Sequence, residues 1–215
     1  MHLTLPPHIS ACRIAGRSLI LDLRTNRYLA LPPDLDTSFQ AVFDGLTPSE
    51  RDAERLCLLG LTVRRKTETP PRLTTYPAPR ADLDLAGVTP TLSSVLDAIA
   101  SQVRATHALK RRGLEAAILR LHQVKRARNP KGGHRVLCEF AASAQLSGRF
   151  IDRHNRCLEN SLAFTTRCRR QGLAADLILG VKMGPFAAHA WVQSGETVLN
   201  DRLDQVRHFT PILVV

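Results

Sequence analysis

The sequence predicts an α+β protein with a small N-terminal domain over residues 1–66, a proline-rich linker over 67–90 and a larger domain over 91–215. Three observations predict it. Prolines at 70, 71, 77, 79 and 90 crowd one seam of the chain, and proline lacks an N–H donor and disfavours helix at the residue before it. Ahead of the seam, strand-like alternation gives way to helical spacing. Behind it the order reverses, with helical stripes first and strand-like runs last.

In the N-terminal part, Leu19, Leu21 and Leu23 alternate with Ile20, Asp22 and Arg24, the period of a strand. Thr25-Asn26-Arg27 reads as a turn and Tyr28–Leu31 as a second strand. Leu35, Phe39, Val42 and Phe43 follow at helical spacing. Thr47-Pro48-Ser49-Glu50 reads as a helix start, with a threonine cap, proline in the first position and glutamate three residues after the cap. That helix is expected to run to about Leu59 and stop at Gly60, before a short strand over Leu61–Arg64.

In the C-terminal part, Leu92, Val95, Leu96, Ile99 and Val103 form one amphipathic stripe, and Leu114, Ala117, Ile118 and Leu121 a second. Asn129-Pro130-Lys131-Gly132-Gly133 breaks the chain. A third helix is expected over Val136–Leu146 and a fourth over Cys157–Arg170, ended by Gly172. Three strand-like runs close the domain: Ala174–Val181, Ala188–Gln193 and Thr197–Asn200, the last two joined by a turn at Ser194-Gly195.

Composition bounds the function. The chain has 215 residues, 44% of them hydrophobic and 23% charged, which is ordinary for a globular protein able to bury a core. Its longest apolar runs, Leu177–Val181 and Pro211–Val215, are far too short to span a bilayer. The first residues carry neither a basic nor a long apolar segment, so no signal peptide is expected. Five cysteines at irregular spacings form no disulfide framework and no metal knuckle. Together these predict a cytoplasmic protein with reduced thiols. The net charge of +11 is uneven: about +2 over residues 1–66, −1 over 67–90 and +10 over 91–215. A basic C-terminal part can attract nucleic acid, an acidic peptide or an acidic partner. The clusters Lys110-Arg111-Arg112 and Lys125-Arg126-Ala127-Arg128 stand out, whereas Arg167-Cys168-Arg169-Arg170 reads as cations favouring a helix C-terminus.

The order helix-with-Cys, strand-with-His, strand-with-Asp carries the chemistry. A thiol attacks a carbonyl as its thiolate, and a helix N-terminus favours that anion. Cys157 stands at the start of the fourth helix. An imidazole takes its proton, and a carboxylate orients the ring and stabilises the imidazolium. His189 lies in an apolar strand and Asp201 just past the next hairpin strand, so adjacent antiparallel strands set them side by side. The catalytic residues predicted are therefore Cys157, His189 and Asp201. His154 is a competing base, Asp204 a fallback for Asp201, and a zinc site from Cys138, His154, Cys157 and His189 the competing chemistry. Cys12, Cys57, Cys138 and Cys168 read as small buried hydrophobes, with Cys168 about three turns beyond Cys157 on the same helix face. His107, His122 and His134 lie in polar stretches and are expected to face solvent. For the oxyanion hole the Cys157 backbone N–H is one donor. Asn155, Arg156 or the segment 150–154 supplies the second.

Asn155-Arg156-Cys157-Leu158, Ala188-His189-Ala190-Trp191-Val192 and Leu199-Asn200-Asp201 resemble the Cys, His and Asp motifs of transglutaminase-like (papain-like) cysteine peptidases. More narrowly, they resemble the B proteins of lasso-peptide maturation, which remove the leader from a ribosomally made precursor. That resemblance implies an N-terminal winged-helix-like (PqqD-like) leader-recognition domain. Such a domain binds the leader as an added strand, with Leu21, Leu23, Tyr28 and Leu29 on its strands and Arg51 and Arg55 on the helix beside them. It implies as partners the precursor leader peptide and an asparagine-synthetase-like cyclase, and a dependence on ATP through that cyclase. The chain itself has no phosphate loop and is expected to bind no cofactor or metal. The alternatives are another thiol acyl-transferase on the same fold and a basic winged-helix nucleic-acid-binding regulator. The near-neutral N-terminal part argues against the second, and neither nucleic acid nor membrane is the expected partner.

Overall fold

The computed structural model describes residues 2–66, 70–124, 133–148 and 156–215. The chain divides into two compact units: residues 2–75 with Thr210–Leu213, and Tyr76–Phe209 with Val214–Val215.

The first unit runs β1 (His2–Thr4), β2 (Ile9–Ile14), β3 (Arg17–Asp22), β4 (Arg27–Ala30), α1 (Pro33–Phe43), α2 (Glu50–Leu58) and β5 (Val63–Arg65). The expected strand–strand–helix–helix–strand order holds from β3 onward, and β1 and β2 precede it. Strands β2, β3 and β4 form an antiparallel sheet in that order, while β1 pairs with β5. β2 escaped the sequence reading because Ala11 and Cys12 are small neighbours buried on opposite faces, which blurs the alternation. The core joins Ile9 and Ile20 of the sheet to Leu35, Phe39 and Val42 of α1 and Leu56 of α2. Asp36 locks α1 onto β3, accepting from the Ser18 N–H at 3.2 Å and from Arg17 Nε at 3.1 Å. Helix α2 starts later than expected. Ser49, not Thr47, is its cap, accepting from the Asp52 N–H at 3.2 Å, so Pro48 lies outside the helix. Gly60 closes it as expected, at φ 71°.

The seam at 67–90 is not a free linker throughout. Residues 67–69 lie outside the described residues. From Tyr76 the chain enters the second unit. The Tyr76 hydroxyl donates to Asp176 at 2.6 Å, β6 (Ala81–Asp82) pairs with a later strand, and Leu83 and Leu85 pack on the second unit's core. Prolines mark extended backbone, and here part of that extended backbone docks as an edge strand.

The second unit continues with α3 (Leu92–His122), α4 (Gly133–Ser147), α5 (Cys157–Arg170), β7 (Asp176–Lys182), β8 (Ala187–Ser194), β9 (Thr197–Val198) and α6 (Leu203–Val206); β10 (Thr210–Val214) follows, with Thr210–Leu213 counted in the first unit. The two expected helical stripes share α3, which breaks at Gly113 with φ 76° and ψ 178°, a left-handed excursion that glycine makes without steric cost. The break expected at 129–132 lies outside the described residues. The first stripe is a correction. Of the expected stripe Val95 is buried and Ile99 half-buried, but Leu92, Leu96 and Val103 are exposed, and α3 buries Ala98, Ser101, Gln102 and Ala105 beside Val95. Small and polar residues let α4 and α5 approach closely, so the tight face of this helix is not its most hydrophobic one.

The sheet order is β10-β7-β8-β9-β6. The apolar run Pro211–Val215 supplies most of β10, an edge strand, where Pro211 is tolerated. On one face of the sheet, Val192 and Leu199 pack on Phe164 and Cys168 of α5 and Ala141 of α4. On the other, Ile178, Trp191 and Val198 pack on Val206, Tyr76 and Phe209. A buried guanidinium ties the helices together. Arg167 of α5 bonds Asp97 at 2.8 Å, the Ser143 hydroxyl of α4 at 3.0 Å and the Ser94 carbonyl of α3 at 3.1 Å. Arg169 is also buried and donates to the Leu121 carbonyl at 3.1 Å. These two are internal clamps, which corrects the reading of 167–170 as cations serving only the helix end.

Gly180 of β7 stands opposite His189 of β8. A Cβ on Gly180 would lie 2.5 Å from the Trp191 ring, and Trp191 is fully buried. Gly180→Ala is expected to lower unfolding free energy by about 1–3 kcal/mol through overpacking, read as a fall in the urea midpoint.

Candidate active site

Helix α5 begins at Cys157, as the sequence predicts. Its N-cap, Arg156, has φ −129° and ψ 28° and makes no side-chain cap hydrogen bond. An uncapped start leaves first-turn N–H groups to face whatever anion lies there. Burial pushes the Cys157 thiol up. The hydrogen bond to His189, the charge of that ring and the backbone N–H groups of Ala190 and Leu158 outweigh burial, and the net result lies below the ordinary thiol value.

His189 projects from β8, and its Nε2 bonds Asp201 Oδ2 at 2.6 Å. That leaves Nδ1 for the Cys157 sulfur. Burial disfavours the imidazolium, yet the hydrogen bonds and charges of Asp201 and Cys157 raise its pKa to about 9. The shifts on sulfur and ring run in opposite directions and share one hydrogen bond, which favours the thiolate–imidazolium form over the neutral pair. The second oxygen of Asp201 accepts from the Arg202 N–H at 2.7 Å, which fixes the carboxylate. Asp204 is exposed and pairs with Arg207 at 3.4 Å; it has no part in this chain of bonds.

Two residues that the sequence reading did not single out hold the three elements in register. Asn200 accepts from the Val192 N–H at 2.7 Å and donates to the Ser161 hydroxyl at 2.9 Å. Ser161 in turn donates to the Ala190 carbonyl at 3.0 Å. This bridge joins α5, β8 and the segment after β9, the three carriers of the triad. The signal was present: Ser161 lies one turn beyond Cys157, and Asn200 is adjacent to Asp201. Behind the imidazole, Trp191 stacks at 6.3 Å and Phe209 lies at 5.3 Å between ring centres.

The triad opens into a cavity of about 670 Å³, also lined by Gln102, Gln145 and Asn160. Gln102 is buried and donates to the Ser147 hydroxyl at 3.0 Å, while its Oε1 has no partner among the described residues. The Cys157 N–H belongs to the first residue of α5. Arg156 lines an adjoining cavity. Asn155, His154 and the rest of 150–154 lie outside the described residues, as do residues 125–128 of the second basic cluster.

Of the residues assigned to leader binding, Leu21 and Leu23 are buried core side chains and offer no surface, a correction that follows from β3 being the central strand of its sheet. Tyr28 and Leu29 lie on β4, an edge strand, with Leu29 38% exposed. Arg51 is exposed, and Arg55 pairs with Asp34 and Asp52 at 3.2 and 3.1 Å. Cys12, Cys138 and Cys168 are buried as expected, with burial pushing Cys12 and Cys168 up to about 12. Cys57 is only half-buried. The Cys138 sulfur lies 3.1 Å from His134 Nδ1, away from the triad cavity. Among the described residues no cluster of three or more His, Cys, Asp or Glu side chains is arranged to hold a metal ion. His107, His122 and His134 are exposed.

Residues 99–214 match the profile of the transglutaminase-like superfamily, and the chain belongs to that superfamily. The matched span contains all three triad residues. No curated protein and no solved structure matches the chain.

The geometry sets a pH dependence. The thiolate–imidazolium pair needs the sulfur deprotonated and the ring protonated. Alkylation of Cys157 by iodoacetamide is expected to rise below the ordinary thiol range and to change again as His189 deprotonates near 9. The same raised pKa adds stability that is fully present below the unfolded histidine value and lost as pH rises through about 9. His189→Ala should return the alkylation midpoint to the ordinary cysteine range, measured by mass spectrometry of the labelled peptide against pH.

Proposed function

We propose that this protein is a cysteine peptidase that removes the leader from a ribosomally made lasso-peptide precursor, ahead of ring closure by a partner cyclase. The observation that carries the reading is the chain of bonds from a helix-start cysteine through His189 to Asp201, at the wall of an open cavity. In the reaction the Cys157 thiolate attacks the scissile carbonyl, and the Cys157 N–H steadies the oxyanion. As the C–N bond breaks, His189 gives its proton to the leaving amine and the acyl group rests on sulfur. Water, losing a proton to His189, then releases the carboxylate and restores the thiol. Asp201 holds the ring throughout and stabilises its cationic form.

The first unit fits leader capture of the PqqD-like kind. β4 is an edge strand of its sheet, to which an extended peptide adds as a strand, and Tyr28, Leu29 and the exposed face of α2 at Arg51 flank it. An asparagine-synthetase-like cyclase, which uses ATP, is the proposed partner, and the cytoplasm the proposed compartment. No helix among the described residues is long and apolar enough to cross a membrane.

The test is a reconstituted reaction of precursor, this protein, the cyclase and ATP, followed by mass spectrometry. Cys157→Ala is expected to lower leader release by about 10⁴-fold or more while leaving leader binding intact. Leader release by the alanine variant at the wild-type rate would end the reading. A product joined to an amine, with no hydrolysed acid, would assign the same triad to an acyl-transferase instead.

A further inference from the structure

The catalytic cavity continues beyond the cysteine. Gln102 and Asn160, which line it, also line a second cavity of about 310 Å³ together with Val103, His107, Lys110 and Arg156. His107 in turn borders a third, of about 320 Å³, whose walls carry Arg104, Arg111, Arg112, Arg120 and Arg170 over a floor that includes Ala105, Leu121 and Leu162. The first and second share Gln102 and Asn160, the second and third share His107, and the lining cations become more numerous from the first cavity to the third. No acidic residue lines the second or third cavity. Among the described residues, none of Arg104, Lys110, Arg111, Arg112, Arg120, Arg156 and Arg170 makes an ion pair. The two buried arginines of α5, in contrast, face Asp97 and Asp176.

Seven cations along one track, with no ion pair among the described residues, repel one another. Concave low-dielectric walls focus their field onto whatever enters. Guanidinium forks match carboxylates in paired geometry, and the aliphatic floor suits the apolar parts of a peptide. We propose that this track is a specificity groove for an acidic peptide. In it the substrate's carboxylate side chains, about four residues from the attacked carbonyl, are held by Lys110 and the arginine-walled cavity beyond. The spacing follows from the helix. Gln102 to Lys110 is about 12 Å at 1.5 Å per residue, and an extended peptide covers that in about four residues at roughly 3.3 Å each. This inference rests on the acyl-transfer reading of Cys157 and deepens it by naming the charge pattern of the substrate.

The test uses full-length protein carrying Cys157→Ala, so that binding is read without turnover. Fluorescence anisotropy compares peptides bearing two glutamates four and five residues before, or after, a central bond with matched glutamine peptides. In one of the two registers the glutamate peptide is expected to bind about three- to thirty-fold tighter. That advantage shrinks between about 50 mM and about 500 mM salt. Lys110→Glu with Arg111→Glu should abolish the preference and transfer it to a lysine-bearing peptide, with thermal unfolding confirming that the variant is folded. Equal affinity for the glutamate and glutamine peptides in both registers overturns the proposal, as does a preference that survives charge reversal. Tighter binding of a duplex oligonucleotide that displaces the peptide also overturns it. The two readings fail separately. A glutamate preference in a protein whose wild-type form processes no precursor removes the peptidase reading alone. Precursor cleavage without any charge preference removes this inference alone.

Discussion

The bond between His189 Nε2 and Asp201 Oδ2, at 2.6 Å, is the constraint around which the second unit is arranged. An imidazole with both nitrogens engaged can hold a proton against burial only if a carboxylate sits in its plane and a thiolate faces its other edge. Each of the three groups depends on a different element: the first residue of α5, the middle of β8 and the segment after β9. A shift of one residue in the β7–β8 register would turn the His189 side chain to the opposite face of the sheet. The Asn200–Ser161–Ala190 bridge ties the same three elements with neutral hydrogen bonds, so the site's geometry does not rest on its charges alone.

Packing behind the ring serves the same end. Trp191 lies on the His189 face of β8, and its indole crosses Gly180 of the neighbouring strand, where there is no side chain to displace it. Trp191 Nε1 donates to Gln193 Oε1 at 3.0 Å, and Gln193 donates to the Pro77 and Gly195 carbonyls. A large aromatic is thus buried with its polar atom satisfied. On the other side of the sheet, Arg167 braces α3 and α4 against α5 and stacks over Phe140 at 4.2 Å. The basic excess of this part of the chain therefore divides. Arg167 and Arg169 are spent inside, as hydrogen-bond donors to carbonyls and hydroxyls. The cations of α3 that line the groove make no ion pair among the described residues.

Much of the second unit was legible in the sequence because local signals and burial agree there. Cys157–Arg170 is a helix with the expected bounds, Gly172 lies just past its end, and β8 turns into β9 one residue later than expected, at Gly195-Glu196. The places where the reading failed share a cause. The stripe Leu92, Leu96 and Val103 is the most hydrophobic face of α3, yet close approach of two other helices selected the face with Ala98, Ser101 and Ala105. β6 is two residues long, and β10 contains proline; both are edge strands whose identity comes from a partner rather than from their own periodicity. Leu21 and Leu23 alternate as a strand should, but alternation cannot tell a side chain that recognises a ligand from one that another layer covers.

The sequence by itself determined which chemistry is available. A cysteine at a helix start, a histidine in an apolar strand and an aspartate one hairpin later are local facts, readable from spacing because helix caps and tight turns involve neighbours in the chain. Only the tertiary structure decided that Asp201 and not Asp204 meets the ring, that Ser161 and Asn200 brace the site, and that Arg167 is a clamp while Arg104 and Lys110 face a groove. Those distinctions depend on sheet register and on which helix faces another. Such contacts join residues tens of positions apart, and no pattern within either segment encodes them.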